Sequence, residues 1–212
     1  MHDDTARLTA SGLVCDRGER RVFAGVEVRV GRGEVLAVVG PNGAGKSSLL
    51  RLLAGLLPPA AGTVAWEGQP VTDDPDAHRA RLHYVGHLDA LKPALTPAET
   101  LRFQAELHGQ SLSPAAITDA LETFGLAALA HLPARFLSQG QRRRAALARL
   151  VATSAPLWLL DEPTLGLDAD SVARLEHALE RHRGAGGLAV VATHGGLDLG
   201  AHATLDLGAG AS

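Results

Sequence analysis

Residues 40–47 read Gly40-Pro41-Asn42-Gly43-Ala44-Gly45-Lys46-Ser47. This G-x-x-x-x-G-K-S spacing makes a loop that cradles phosphate. Its glycines let the chain curl until several N–H groups face inward, Lys46 brings a point charge to the outer phosphates, and the Ser47 hydroxyl suits Mg²⁺. The loop also dictates its flanks, a buried strand before it and a helix after it. Val35-Leu36-Ala37-Val38-Val39 is a short apolar run suited to that strand. Ser48 to Ala54, with Leu49, Leu50, Leu52 and Leu53, reads as a helix whose N-terminus faces the phosphates.

The rest of the chain repeats this strand–helix logic. Val22, Phe23, Val26, Val28 and Val30 are spaced as in a strand, and Gly31-Arg32-Gly33 turns the chain into the 35–39 run. Pro58-Pro59 ends the first helix, and Thr63-Val64-Ala65-Trp66 before Gly68 suggests another strand. Residues 97–131 read as helix-rich, with turn signals at Gly109 and Ser113-Pro114, and Leu137 to Ala152 reads as a helix. Leu157 to Leu160 is a second buried strand, Ser171 to Arg183 a helix, and Leu188 to Thr193 a third buried strand. Continuous apolar strands alternating with helices predict an α/β fold with a parallel sheet covered on both faces. The helical stretch between 92 and 152 interrupts the alternation and is expected to be a subdomain set into one domain spanning 1–212.

Length and charge narrow the function classes. At 212 residues the chain has the size of one domain with a substantial core. A net charge of −3 argues against a dedicated nucleic-acid binder. Cys15 is the single cysteine, which forbids an intrachain disulfide, fits a reducing compartment and suggests a structural thiol. Met1-His2-Asp3-Asp4 has no basic or apolar leader pattern, so no signal peptide is expected. No uncharged apolar run approaches the roughly 20 residues that span a bilayer. Work at a membrane would therefore need another chain to cross it.

The second buried strand ends in Asp161-Glu162-Pro163. A carboxylate at a strand tip beside a phosphate loop holds Mg²⁺ directly or through water, which is the role expected of Asp161. Glu162 is the natural general base for a water attacking a γ-phosphate; the alternative is a pair of capping residues without chemistry. Leu137-Ser138-Gln139-Gly140-Gln141 opens a helix, where free N–H groups, a hydroxyl and the positive dipole end suit a second anion site. Simple helix capping by Ser138 is the other reading.

Taken in order, Gly40–Ser47, LSQGQ at 137–141, LLDEP at 159–163, Leu167-Asp168 and Thr193-His194 resemble the motifs of ABC-type ATPases. That resemblance covers nearly the whole chain. It implies a P-loop NTPase (RecA-like) core with a mostly parallel sheet, an N-terminal antiparallel β region and the inserted helical subdomain at about 92–152. It implies ATP and Mg²⁺ as ligands and two copies packed head to tail. Each ATP would then lie between residues 40–48 of one copy, Ser48 included, and Ser138, Gly140 and Gln141 of the other, with Asp168 at the dimer interface. His194 would contact the γ-phosphate and help hold Glu162 and the attacking water. Cys15-Asp16-Arg17-Gly18-Glu19-Arg20 before Phe23, Tyr84-Val85-Gly86-His87, Leu91 to Thr96, Glu99-Thr100-Leu101 and Trp158 look more narrowly like the ATPase subunits of bacterial heme exporters used in cytochrome c maturation. This implies transmembrane permease subunits as partners and a peripheral place on the cytoplasmic face of the cell membrane. An ATPase of another exporter, for lipid, peptide or drug, is the alternative, and a soluble ABC ATPase the third. No C-x-x-C-H motif is present, so nothing attaches heme covalently in the manner of a c-type cytochrome.

Two positions depart from the general ABC pattern. Arg17 falls where an aromatic residue usually stacks on adenine; a guanidinium can stack there too, or Arg17 is a plain surface arginine. His87 falls where a glutamine usually touches Mg²⁺ and the attacking water. Imidazole is a poor Mg²⁺ ligand, so His87 would act through water or relay contacts to a partner subunit, and an imidazole there would make turnover pH-sensitive. Arg142-Arg143-Arg144 with Arg149 is read as a solvated helix face rather than a nucleic-acid patch. His177 and His182 lack a zinc frame, and no zinc site is expected.

Overall fold

The computed structural model describes residues 6–208. Met1 to Asp4, read above for the absence of a leader, lie outside them. The N-terminal region is a four-stranded antiparallel sheet in the order β2-β1-β4-β5. Its strands are β1 (Ala6–Arg17), β2 (Arg20–Gly31), β4 (Ala61–Trp66) and β5 (Gln69–Pro70). The second sheet is five-stranded in the order β6-β7-β8-β3-β9, and every adjacent pair in it is parallel. It comprises β3 (Val35–Val39), β6 (Leu82–Val85), β7 (Leu157–Asp161), β8 (Leu188–Ala192) and β9 (Ala203–Asp206).

The continuous apolar strands behave as parallel strands buried on both faces should. Successive side chains point to opposite faces, so each strand feeds two cores. Leu36, Val38, Leu157, Leu159, Leu188 and Val190 pack with α1 (Lys46–Leu53) and the antiparallel sheet. Val35, Ala37, Trp158, Leu160, Ala189 and Val191 face the helical side. That side is built from α3 (Pro97–Leu107), α4 (Pro114–Thr123), α5 (Gln139–Ala152) and α6 (Ala169–Gly184). A short α2 (Pro75–Ala80) and two single 3₁₀ turns complete the elements. Among the described residues no helix is long and apolar enough to cross a membrane.

The strand order positions the site. β8 lies between β3 and β7, so the C-terminal tips of these three strands are neighbours. In open parallel sheets ligands bind outside such tips. Here the tips deliver the 40–47 loop, Asp161-Glu162 and Thr193-His194 to one place.

Candidate active site

One cleft of about 600 Å³ collects residues from all three tips. Gly43, Lys46, Ser47 and Ser48 line one wall, Asp161, Glu162 and His194 another, and His87, Arg17 and Arg20 lie at its margins. Asn42, Gly45, Val22 and Leu165 complete it.

The loop is held open by its own backbone. Gly45 sits at φ +102°, and a β-carbon there would approach Val22 Cγ1 to 2.6 Å and Phe23 Cδ1 to 2.7 Å. Strand β2 is thus packed directly on the loop, and no side chain fits between them. Gly45 is also the N-cap of α1 and makes no side-chain cap bond. By contrast α2, α3, α4, α5 and α6 are capped by Asp74, Thr96, Ser113, Ser138 and Asp168. Helix α1 has no acidic residue in its first turn either, so its free N–H groups and positive dipole end are left to an anion.

Lys46 is buried, and its ammonium donates to Gly40 O at 2.9 Å and Pro41 O at 3.4 Å. Its Nζ lies 3.0 Å from His194 Nε2, which is also 2.8 Å from Asn42 Oδ1 and 3.4 Å from Glu162 Oε1. One imidazole nitrogen therefore faces a cation, an amide and a carboxylate. Its tautomer decides which of them it serves.

Asp161 is 1% exposed, and its Oδ2 has no hydrogen-bond partner. An orphaned carboxylate oxygen aimed into a cleft beside the Ser47 hydroxyl is a hard-oxygen set that fits Mg²⁺. Glu162 takes φ +46° and precedes Pro163, a position where helical backbone is disfavoured. A left-handed glutamate costs about 1–3 kcal/mol, a strain that accumulates at functional sites. The glutamate N–H donates to Ala192 O at 2.9 Å, which fixes the turn against β8.

The structure does not bring every candidate into the cleft. Ser138, Gly140 and Gln141 lie outside it in the same chain. Ser138 Oγ accepts from Gln141 N at 3.2 Å, and Gln141 Oε1 accepts from Ser138 N at 2.8 Å, a reciprocal capping box at the start of α5. Ser138 is nonetheless exposed, as is Asp168 at the start of α6. The Asp168 carboxylate accepts from Ser171 N, and the Ser171 hydroxyl first, then this N–H, hold its pKa below the ordinary value. Gly140 faces the loop between them, because a β-carbon there would meet Gly166 O at 3.1 Å.

Arg17 reaches the cleft, with Nη2 3.4 Å from Ser48 Oγ. That position is beside the loop, where phosphate would lie. Arg20, which the sequence did not single out, lines the same cleft, and among the described residues no Phe, Tyr or Trp lines it. The solvated reading of Arg142-Arg143-Arg144 with Arg149 is corrected at Arg143 and at Arg149, whose Nε is buried and whose guanidinium donates to Tyr84 O. Arg143 is 3% exposed, because adjacent helix positions are about 100° apart and position 143 turns inward on α5. Arg142 and Arg144 stay on the margins and donate to carbonyls of Leu137, Phe124 and Gly125.

A phosphate loop, a strand-tip carboxylate pair and a histidine on the neighbouring tip define a nucleoside-triphosphate-hydrolysing class of site. The sequence model of the family described as ABC transporter matches residues 23–165. This chain belongs to the ABC transporter family, among its ATP-binding subunits. It is 52% identical over 201 residues to the cytochrome c biogenesis ATP-binding export protein CcmA of Paramagnetospirillum magneticum, covering 94% of this chain and 92% of that one. The protein of the same name from Rhodospirillum rubrum is 57% identical over 182 residues, covering 86% and 77%. That of a Chelativorans species is 50% identical over 206 residues, covering 97% and 98%. Among solved structures, an ATP-binding subunit of an ABC transporter superposes with a TM-score of 0.80 at 28% identity, covering 89% of this chain and 79% of that one. A putative ABC transporter ATP-binding protein from Pyrococcus furiosus shares the fold, with a TM-score of 0.83 at 23% identity, covering 95% and 98%.

Proposed function

We propose that this chain drives an exporter serving cytochrome c maturation, with heme or a heme-loaded carrier as cargo, and that it hydrolyses ATP as one of a pair. The reading of cargo rests on the names of the curated relatives. The reading of chemistry rests on one observation: an orphaned Asp161 oxygen, Glu162, His194 and Lys46 share a single cleft.

The division of labour follows from charge. Backbone N–H groups of the 40–48 segment and the Lys46 ammonium bind the triphosphate. Asp161 and Ser47 would hold Mg²⁺, which supplies neutralising charge on the outer phosphates. Glu162 takes the proton as water oxygen bonds to the γ-phosphorus and the bond to the bridging oxygen breaks, and His194 steadies the carboxylate and the phosphate. Ser138, Gly140 and Gln141 act in trans, since an exposed helix start outside its own cleft suits an anion held by a second copy. Asp168 would lie at that seam. The lone fold supplies half of a cage, and closing it excludes water and completes the donors.

The membrane contact is made through partner permease subunits at the cytoplasmic face. Leu88, 80% exposed beside His87, and Leu107 on α3, 70% exposed, are apolar surface suited to such a partner. The test has two arms. Glu162→Gln in the purified complex should bind ATP, accumulate as a closed pair and lose about 10²–10⁴-fold in hydrolysis; normal hydrolysis refutes the assignment. Absorbance of heme in that complex supports the cargo, whereas bound lipid or peptide without heme moves the chain to another exporter.

A further inference from the structure

Arg143 is buried in a charge-bearing helix and does not itself line the cleft. Its guanidinium carries five N–H donors in a rigid fork. All five directions are met. Nε donates to Pro163 O at 3.2 Å. One terminal nitrogen donates to Gly86 O at 2.8 Å and to Asp89 Oδ1 at 3.3 Å. The other donates to Asp161 O at 3.1 Å and Glu162 O at 2.8 Å. Three consecutive carbonyls at the tip of β7 and the loop that carries His87 thus converge on one side chain of α5.

The Glu162 backbone needs such a grip. A residue at φ +46° before a proline returns to extended backbone unless its neighbours over-determine it. The glutamate's carboxylate cannot supply the restraint, because Oε1 has no hydrogen bond. Four bonds hold the peptide units: the Glu162 N–H to Ala192 O, the Leu165 N–H to Glu162 O at 3.2 Å, and the Arg143 fork on the Asp161 and Glu162 carbonyls, of which the fork alone ties the turn to α5.

We infer that Arg143 is a positioning residue for hydrolysis, which sets the Glu162 carboxylate and joins it to the Gly86–Asp89 loop as one unit. The inference rests on Glu162 being the general base. It goes beyond that role by assigning the geometry of the base to a residue of the helix that starts at Ser138. Movement at the α5 start would then reach the base through Arg143 rather than through the nucleotide.

The experiment compares Arg143→Lys, Arg143→Gln, Glu162→Gln and the Arg143→Gln/Glu162→Gln double variant in the purified complex. Hydrolysis rate, displacement of a fluorescent ATP analogue and thermal unfolding are measured for each. Misplacement of a catalytic group by about 1 Å costs about 10²-fold, so Arg143→Gln should lower kcat by that order with nucleotide affinity unchanged. Arg143→Lys keeps the charge opposite Asp89 but presents three donors from one point, so it should restore stability more than kcat. If Arg143→Gln does not fold, Arg143→Lys carries the same reading. The double variant should be no slower than Glu162→Gln alone, because the two act as one unit. Full kcat in folded Arg143→Gln or Arg143→Lys, parallel loss of nucleotide affinity, or a further loss in the double variant overturns the inference. Native hydrolysis by Glu162→Gln overturns the reading of the base itself and is distinguished by that variant alone.

Discussion

Acid should weaken this protein through His83, and the size of the effect can be worked out. The ring lies on β6 at 4% exposure, with Nε2 3.0 Å from Thr153 Oγ1 and 3.2 Å from Thr153 O. Burial lowers its pKa to about 3; the Arg149 charge, and more weakly His108 and His182, act in the same direction, while the Thr153 carbonyl opposes them. An unfolded chain protonates the same ring near 6.5. Between these values the unfolded state binds the extra proton, so stability is complete above about pH 6.5 and declines as pH falls toward 3. A pH of 5 lies about 1.5 units below the unfolded ring's pKa and above the folded one, and at 1.36 kcal/mol per unit that removes about 2 kcal/mol. For a chain of this size the melting temperature should fall by about 4–8 °C from this group between pH 7 and pH 5. His78 and His182 are also lowered, chiefly by burial, and add to the same slope. The assay is denaturant unfolding at the two pH values for the native chain and for His83→Gln, whose amide can still donate to Thr153 O. The variant should begin less stable and lose about 2 kcal/mol less on acidification. Parallel losses in the two proteins would refute the argument.

Three further outcomes follow from the cleft. Lys46→Ala should lose MgATP affinity, measured by titration of a fluorescent analogue; unchanged affinity would remove the ammonium from the phosphate site. Arg17→Ala should weaken ATP, GTP and tripolyphosphate alike, because Arg17 contacts Ser48 beside the loop. Selective loss of ATP would instead mean that its guanidinium stacks on the base. Gly45→Ala should abolish nucleotide binding and cost about 1–3 kcal/mol in stability, since a β-carbon would drive into Val22 and Phe23 at φ +102°. A melt and a binding curve matching the native protein would contradict the close packing.

The sequence carried the parts of the fold that are local. The 40–47 loop, the buried strands and the strand-tip carboxylates each announce themselves in a few adjacent residues, and the parallel sheet followed from them. Strand β1 was missed because its alternation slips: Leu8 and Ala10 are buried, then Leu13 and Cys15, with a register irregularity between Ala10 and Leu13. A strand whose period changes phase does not present a period-2 signal. Strand β9 was missed because it is four residues long, mostly exposed and on a sheet edge. Helix α2 is six residues long behind its Asp74 cap and begins with Pro75, too short to show a face. In the site, Asn42 and His194 are 152 residues apart, and only the strand order shows that their side chains meet. Arg143 was hidden for the opposite reason. Three arginines in a row read as surface, and burial of the middle one depends on what α5 packs against.

The contrast between Glu162 and Arg143 separates chemistry from geometry within one catalytic group. The Glu162 backbone is held by Ala192 O, the Leu165 N–H and the Arg143 fork, and its carboxylate lies 3.4 Å from His194. Replacing that carboxylate by an amide leaves these backbone restraints intact. Glu162→Gln should therefore unfold at the native temperature while losing the proton acceptor. Changing Arg143 keeps the carboxylate but removes the fork that positions it, so stability and kcat should fall together while the acceptor survives. A base held by its own side-chain bonds would give the reverse pattern, with Glu162→Gln the less stable variant. Melting curves of the two, recorded with and without MgATP, decide between these arrangements.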